Sequence, residues 1–200
     1  MNKRRFMKKN EGYSLVEMII VIAIIAVMTG AAMVTIAIIH NAKAKEAAST
    51  FEDVLAETQS NAKGKMCVID GTQYPDYRFA VAVFKNGSKY YVQEGYYKGN
   101  GASLTDKNSY DFVNTKDLRS GKPVSFSAYV AVKYKANGAT DESDIGLLDS
   151  ESAGNQPVYI IYDRQGMCIN GSGEFNFYRN SKNTLLSTVV LNKNGSHTSN

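Results

Sequence analysis

The sequence predicts an α+β fold: one long N-terminal α-helix, membrane-spanning over its first half, packed by its second half on an antiparallel β-sheet head. Three observations carry that prediction. An uncharged apolar run fills Met18–Ile39. A stretch rich in Ala, Glu and Lys, free of Gly and Pro, continues to Lys63. Beyond Gly64 the chain breaks into short alternating runs separated by Gly, Asn and Asp.

The run MIIVIAIIAVMTGAAMVTIAII is 22 residues long. As a helix it measures roughly 33 Å, close to the hydrocarbon thickness of a bilayer. A secretory signal would be shorter and would end at a small-residue cleavage site. Here the run passes without a break into further helix-forming sequence. Lys3, Arg4, Arg5, Lys8 and Lys9 precede it, opposed only by Glu11. That asymmetry places the N-terminus in the cytoplasm and everything after Ile39 outside. The same twelve residues account for the whole formal charge of +4, so the remainder of the chain is balanced. A neutral body has no global field to draw in nucleic acid or an acidic substrate.

Between Ala31 and Lys63 nothing breaks a helix. Ala47, Phe51, Val54, Leu55, Thr58 and Ala62 recur at three- and four-residue steps, flanked by Glu46, Glu52, Asp53, Glu57 and Asn61. The pattern is a narrow stripe of about four turns, suited to docking on a sheet. Gly64 is expected to end the helix as a C-cap. Gly30 is its one weak point, a site for a bend or local melting. The helix is therefore expected over 13–63, with the membrane part at 18–39 and the head at 66–200.

In the head, 77–84 and 88–94 flank Asn86-Gly87, a strong hairpin signal. Residues 124–135 alternate, with Val124, Phe126, Ala128, Val130, Val132 and Tyr134 on one face. Further strands are expected at 157–163, 167–170, 174–179 and 184–192. Asp163-Arg-Gln-Gly166 and Asn192-Lys-Asn-Gly195 fit type I turns with Gly in the fourth place. Polar stretches at 95–122 and 136–156 read as long loops.

Glu17 stands at the cytoplasmic edge of the apolar run, in GYSLVEMII. A short basic leader, then Gly12, then an aromatic residue, then a glutamate five residues after the glycine resembles the type IV prepilin family, including the pseudopilins of secretion and competence systems. The likeness covers about the first 40 residues. It implies a pilin-like fold and a leader peptide, 1–12, removed between Gly12 and Tyr13 by a membrane prepilin peptidase. The new amine of Tyr13 would be methylated, although the family usually has Phe there. It also implies that Glu17 serves filament assembly, compensating the N-terminal amine of a neighbour in a dry helical core. The expected partners are other pilin or pseudopilin subunits, the peptidase, an assembly platform in the membrane, and membrane lipid before assembly. The short C-terminal strands look most like those of H-type minor pseudopilins.

Other residues invite chemical readings. His40 and His197 are the only histidines, too few for a His-based triad or zinc site. Asp141-Glu-Ser-Asp144, with Asp149 and Glu151, is an acidic run in which calcium competes with simple solvation. Ile145 stands where an EF-hand-like spacing needs oxygen. No metal and no cofactor are expected. Asn86, Asn170 and Asn194 each begin an Asn-Gly-Ser sequon, and each also fits a turn. Tyr96, Tyr97 and Tyr110 are candidates for a carbohydrate or partner surface. Cys67 and Cys168, both on the exported side, are either a disulfide or two small buried side chains.

The sequence thus points to a structural subunit of a type IV filament, in a pilus, a type II secretion system or a competence system. The alternative is a binding module carried on such a filament, for adhesion or DNA uptake. The tail, Asn194-Gly-Ser-His-Thr-Ser-Asn200, holds no Arg, so no nucleic-acid partner is expected. An enzyme is not expected. The protein is placed in the cytoplasmic membrane by a single pass, and in a surface or periplasmic filament after assembly.

Overall fold

A helix without interruption opens the structure, a computed structural model that describes residues 12–69, 71–99, 103–112, 122–148, 156–179 and 184–200. The leader up to Glu11 lies outside the described residues. Helix α1 spans Leu15–Gly64. It is shared between two units, Met1–Ile39 and His40–Asn200.

In the first unit the helix is apolar and open. Leu15, Ile22, Val27, Met33 and Ile38 are all well exposed. Its two hydroxyls are satisfied by its own backbone: Thr29 Oγ1 donates to the Ile25 carbonyl at 2.7 Å and Thr35 Oγ1 to that of Ala31 at 3.1 Å. Such back-bonding lets Thr enter lipid without an orphaned donor. Gly30 does not melt the helix. The helix continues through it, because the neighbouring turns are strong helix formers in their own right.

In the second unit α1 presents one buried face, made by Ala44, Ala47, Ala48, Phe51, Leu55, Thr58, Asn61 and Ala62. The expected stripe holds and gains small residues at its start. Asn61, expected on the polar side, is buried. It stands three residues after Thr58, and its Nδ2 donates to Glu94 Oε1 at 2.9 Å, which meets the cost of burial in part. Gly64 is the last helical residue rather than a residue beyond the end. The Lys65 N–H closes the final turn on the Asn61 carbonyl at 2.8 Å.

Thirteen short strands are described beyond the helix. Strands β1 (Cys67–Ile69) and β2 (Thr72–Tyr74) form a two-stranded ribbon. Next come β3 (Arg78–Asn86), β4 (Lys89–Tyr97), β5 (Tyr110–Asp111), β6 (Val124–Ser125), β7 (Val130–Ala136) and β8 (Ser143–Asp144). The last five are β9 (Val158–Tyr162), β10 (Cys168–Asn170), β11 (Gly173–Arg179), β12 (Thr184–Leu191) and β13 (His197–Ser199). One sheet runs β10-β9-β3-β4-β5, with β6 also on β4, and the other runs β13-β12-β11-β7-β8. Every strand pairing is antiparallel.

The β3–β4 hairpin turns one residue later than expected. Asn86 pairs with Lys89, so Gly87 and Ser88 are the loop, and Gly87 takes φ +61 as a primed turn requires. The single strand expected over 124–135 is two strands in different sheets. Phe126 enters the core between them and a turn closes from Val130 N–H to the Ser127 carbonyl at 3.0 Å. Both proposed Gly-ended turns form: Gly166 N–H donates to the Asp163 carbonyl and Gly195 N–H to that of Asn192, each at 2.9 Å.

The buried face of α1 packs on both large sheets. Phe51 lies 4.7 Å from Phe175 and 5.9 Å from Phe177, ring centre to ring centre, while Val81, Val83 and Val92 complete the same core. Ala80, Ala82, Phe84 and Ile161 point the other way and are also buried, beneath Tyr97, Tyr110, Tyr159 and Phe112. The stretch 95–122 is therefore not a free loop in its described part. It returns through β5 to cover the outer face of β3, which explains why Phe79–Phe84 is buried without alternation.

Candidate functional site

Gly12, Tyr13 and Ser14 are non-helical and exposed, and the helix begins directly after them. The Met18 N–H donates to the Ser14 carbonyl at 3.2 Å, which makes Ser14 the N-cap. Ser14-Leu-Val-Glu17 has the S-x-x-E spacing of a capping box, a sequence signal that fixes the helix start. Glu17 falls in the first turn, where a carboxylate meets the positive end of the helix dipole. Tyr13 is 77% exposed. The Gly12–Tyr13 bond thus lies in open, non-helical backbone, two residues before a rigid apolar rod. A protease requires an accessible, extended substrate, and the helix start confines accessibility to this side.

The head holds the other candidates. Tyr96, Tyr97 and Tyr110 are buried and make no surface. Tyr96 packs on Phe79 at 5.1 Å and Tyr110 stacks on Tyr159 at 4.1 Å. Within the acidic run, Glu142 accepts from Asn176 Nδ2 at 2.6 Å and from the Tyr178 hydroxyl at 2.8 Å, while Asp144 lies 3.9 Å from Lys133 Nζ. Burial and the Glu142 bond push the Tyr178 hydroxyl up to about 12. Asp149 and Glu151 lie outside the described residues.

The cysteines are not bridged. Both are buried free thiols. Cys67 on β1 donates to the Tyr77 carbonyl at 3.2 Å and Cys168 on β10 to that of Asn170 at 3.0 Å. Cys67 is thus engaged by the residue before β3 and Cys168 by its own strand, and the ribbon and the sheet edge are not stapled. Burial pushes Cys67 up to about 12 and Cys168 up to about 11, far from a reactive thiolate. Of the histidines, His40 stacks on Tyr129 and His197 pairs with Leu191 in β13. A groove of about 720 Å³ runs past Tyr77, Arg78, Tyr97, Asp163 and Arg164. Sequence reading missed it because its walls come from three separate turns.

Residues 7–33 match the model of the prokaryotic N-terminal methylation motif. No curated protein and no solved structure matches the chain. The matched segment contains the Gly12–Tyr13 bond, Glu17 and the start of the open apolar helix. It carries the N-terminal signature of a type IV pilin-like precursor. Such a motif implies processing by a prepilin peptidase and assembly with other pilins.

Proposed function

We propose that the protein is a structural subunit, a minor pilin or pseudopilin, of a type IV filament. The observation that carries this reading is the apolar first half of the helix, Leu15–Ile39, whose large side chains, from Leu15 and Ile22 to Met33 and Ile38, are exposed. That much bare hydrocarbon needs lipid or the helices of other subunits. Residues 1–12 serve as the cytoplasmic leader. Cleavage falls between Gly12 and Tyr13, the amine of Tyr13 receives the methyl group, and residues 40–200 stand outside the membrane. After extraction from lipid, Glu17 compensates a neighbour's N-terminal amine within the filament core.

Intact-mass analysis of protein from native cells tests the reading. A chain that begins at Tyr13, carries one added methyl group, and is found in a sheared filament fraction supports it. Recovery of only the full-length chain, in cells with an active prepilin peptidase, overturns it.

A further inference from the structure

The head is basic and aromatic at the end where the chain enters it. His40 follows the apolar run directly and stacks on Tyr129, ring centres 4.5 Å apart and planes 22° apart. Tyr129 is nevertheless 55% exposed. One turn along the helix, Lys43 lines a cleft of about 300 Å³ together with Lys89, Ser125 and Ser127. Lys89 adjoins the tip of the β3–β4 hairpin, which also carries Lys85. Leu147, half exposed, bridges to Lys85.

Two carboxylates lie nearby and both are engaged: Glu46 with Lys43 at 2.6 Å and Asp144 with Lys133 at 3.9 Å. Among the described residues neither Lys85 nor Lys89 has a carboxylate partner. Beyond residue 12 the chain is balanced in charge, so this end is a local excess. Lys43 is four residues past Ile39, about 6 Å along the helix. That is less than one Debye length from the end of the apolar run at physiological salt, and Lys89 lines the same cleft.

We propose that this rim rests on the bilayer surface while the chain is anchored, with Tyr129 at headgroup level and Lys85 and Lys89 against the phosphates of anionic phospholipid. The inference rests on the membrane-anchored reading above. Its physical basis is twofold. Tyrosine prefers the water–lipid boundary, where its ring and hydroxyl are both accommodated. Ammonium groups near an anionic surface are attracted to it within a Debye length. A second copy of the head is the competing occupant, but only lipid is brought to this rim by the chain itself, through Ile39–His40.

The chain contains no Trp, so Tyr129→Trp gives a single tryptophan, excited selectively over the tyrosines, in the aromatic position that stacks on His40. The full chain is placed in vesicles of mixed phosphatidylglycerol and phosphatidylcholine, brominated just below the headgroup, and in vesicles of phosphatidylcholine alone. The expected result is blue-shifted emission quenched more in the anionic vesicles and relieved by 1 M salt. Lys85→Ser with Lys89→Ser should shift the apposed-to-lifted ratio by about 30-fold. Acylation of Lys89 by an impermeant reagent, in the unaltered protein, should be slower in anionic vesicles than in detergent. Flotation with the vesicles but no quenching, or quenching indifferent to lipid charge and salt, overturns the proposal and leaves anchoring intact. A blue shift that grows with protein density without lipid quenching also overturns it, in favour of a second copy. Failure to float overturns the anchoring reading as well.

Discussion

Replacing Asn61 with Leu attacks a buried polar contact between helix and sheet. Glu94 is 4% exposed, its Oε1 bonded to Asn61 Nδ2 and its Oε2 without a partner in the described chain. Without Asn61 both carboxylate oxygens lack a donor. A buried charge that loses its partner costs about 3 to 5 kcal/mol, while swapping a buried polar pair for apolar residues of similar size is often neutral or favourable. Asn61→Leu alone should therefore lower stability by about 3 kcal/mol. Glu94→Met alone strands only an amide, at about 1 to 2 kcal/mol. The double replacement should fall within about 1 kcal/mol of the unaltered protein or exceed it. Urea unfolding of the fragment 40–200, followed by circular dichroism, gives the cycle directly. If the two single losses simply add in the double variant, the pair is not a coupled buried unit and the reasoning fails.

Phe51→Ala, which empties the space against Phe175 and Phe177, should cost the same fragment about 3 to 5 kcal/mol in urea. A loss below 1 kcal/mol would mean the helix is not seated as described. Both thiols have folded values above the ordinary 9.0, Cys67 at about 12 and Cys168 at about 11. The folded state therefore holds protons that the unfolded state releases. Their contribution is intact below pH 9 and is lost as pH rises from there toward 11 to 12, by up to about 1.4 kcal/mol per pH unit per thiol. Unfolding midpoints between pH 8 and 10.5 should fall, and should fall less in Cys67→Ala; a flat profile contradicts the burial. Native protein should resist alkylation at both positions and become doubly labelled in denaturant, whereas a linked peptide pair would show a bridge after all. Glu17→Ala should give processed protein that stays in membranes and enters sheared filaments more than tenfold less. Equal entry would remove Glu17 from assembly.

The helix was legible almost residue by residue because its signals are local. Length without Gly or Pro, the charge-free run and the three-four stripe are all properties of neighbouring positions. The turns at Gly166 and Gly195 were legible for the same reason. The missed features depend on distant segments. Asn61 reads as a surface residue until Glu94, 33 positions away, is brought to it. Tyr97 and Tyr110 read as a loop surface until β5 folds back over Tyr159. The alternation over 124–135 is genuine, yet Phe126 is taken into the core between two sheets, which no periodicity announces. The methylation motif, by contrast, matches one contiguous stretch, residues 7–33, and could be read whole.

The buried face of α1 also has a mechanical meaning. From Ala44 to Ala62 it extends roughly 27 Å and is held at Phe51 by one large sheet and at Asn61 by the other. A pull delivered through Ile39 is borne by this whole row together, in shear, and no end contact can be peeled away first. A hairpin held only at its tip would open like a zip under the same load. The head should thus yield abruptly at one force rather than by stages, a property suited to a body whose tether is hauled from one end.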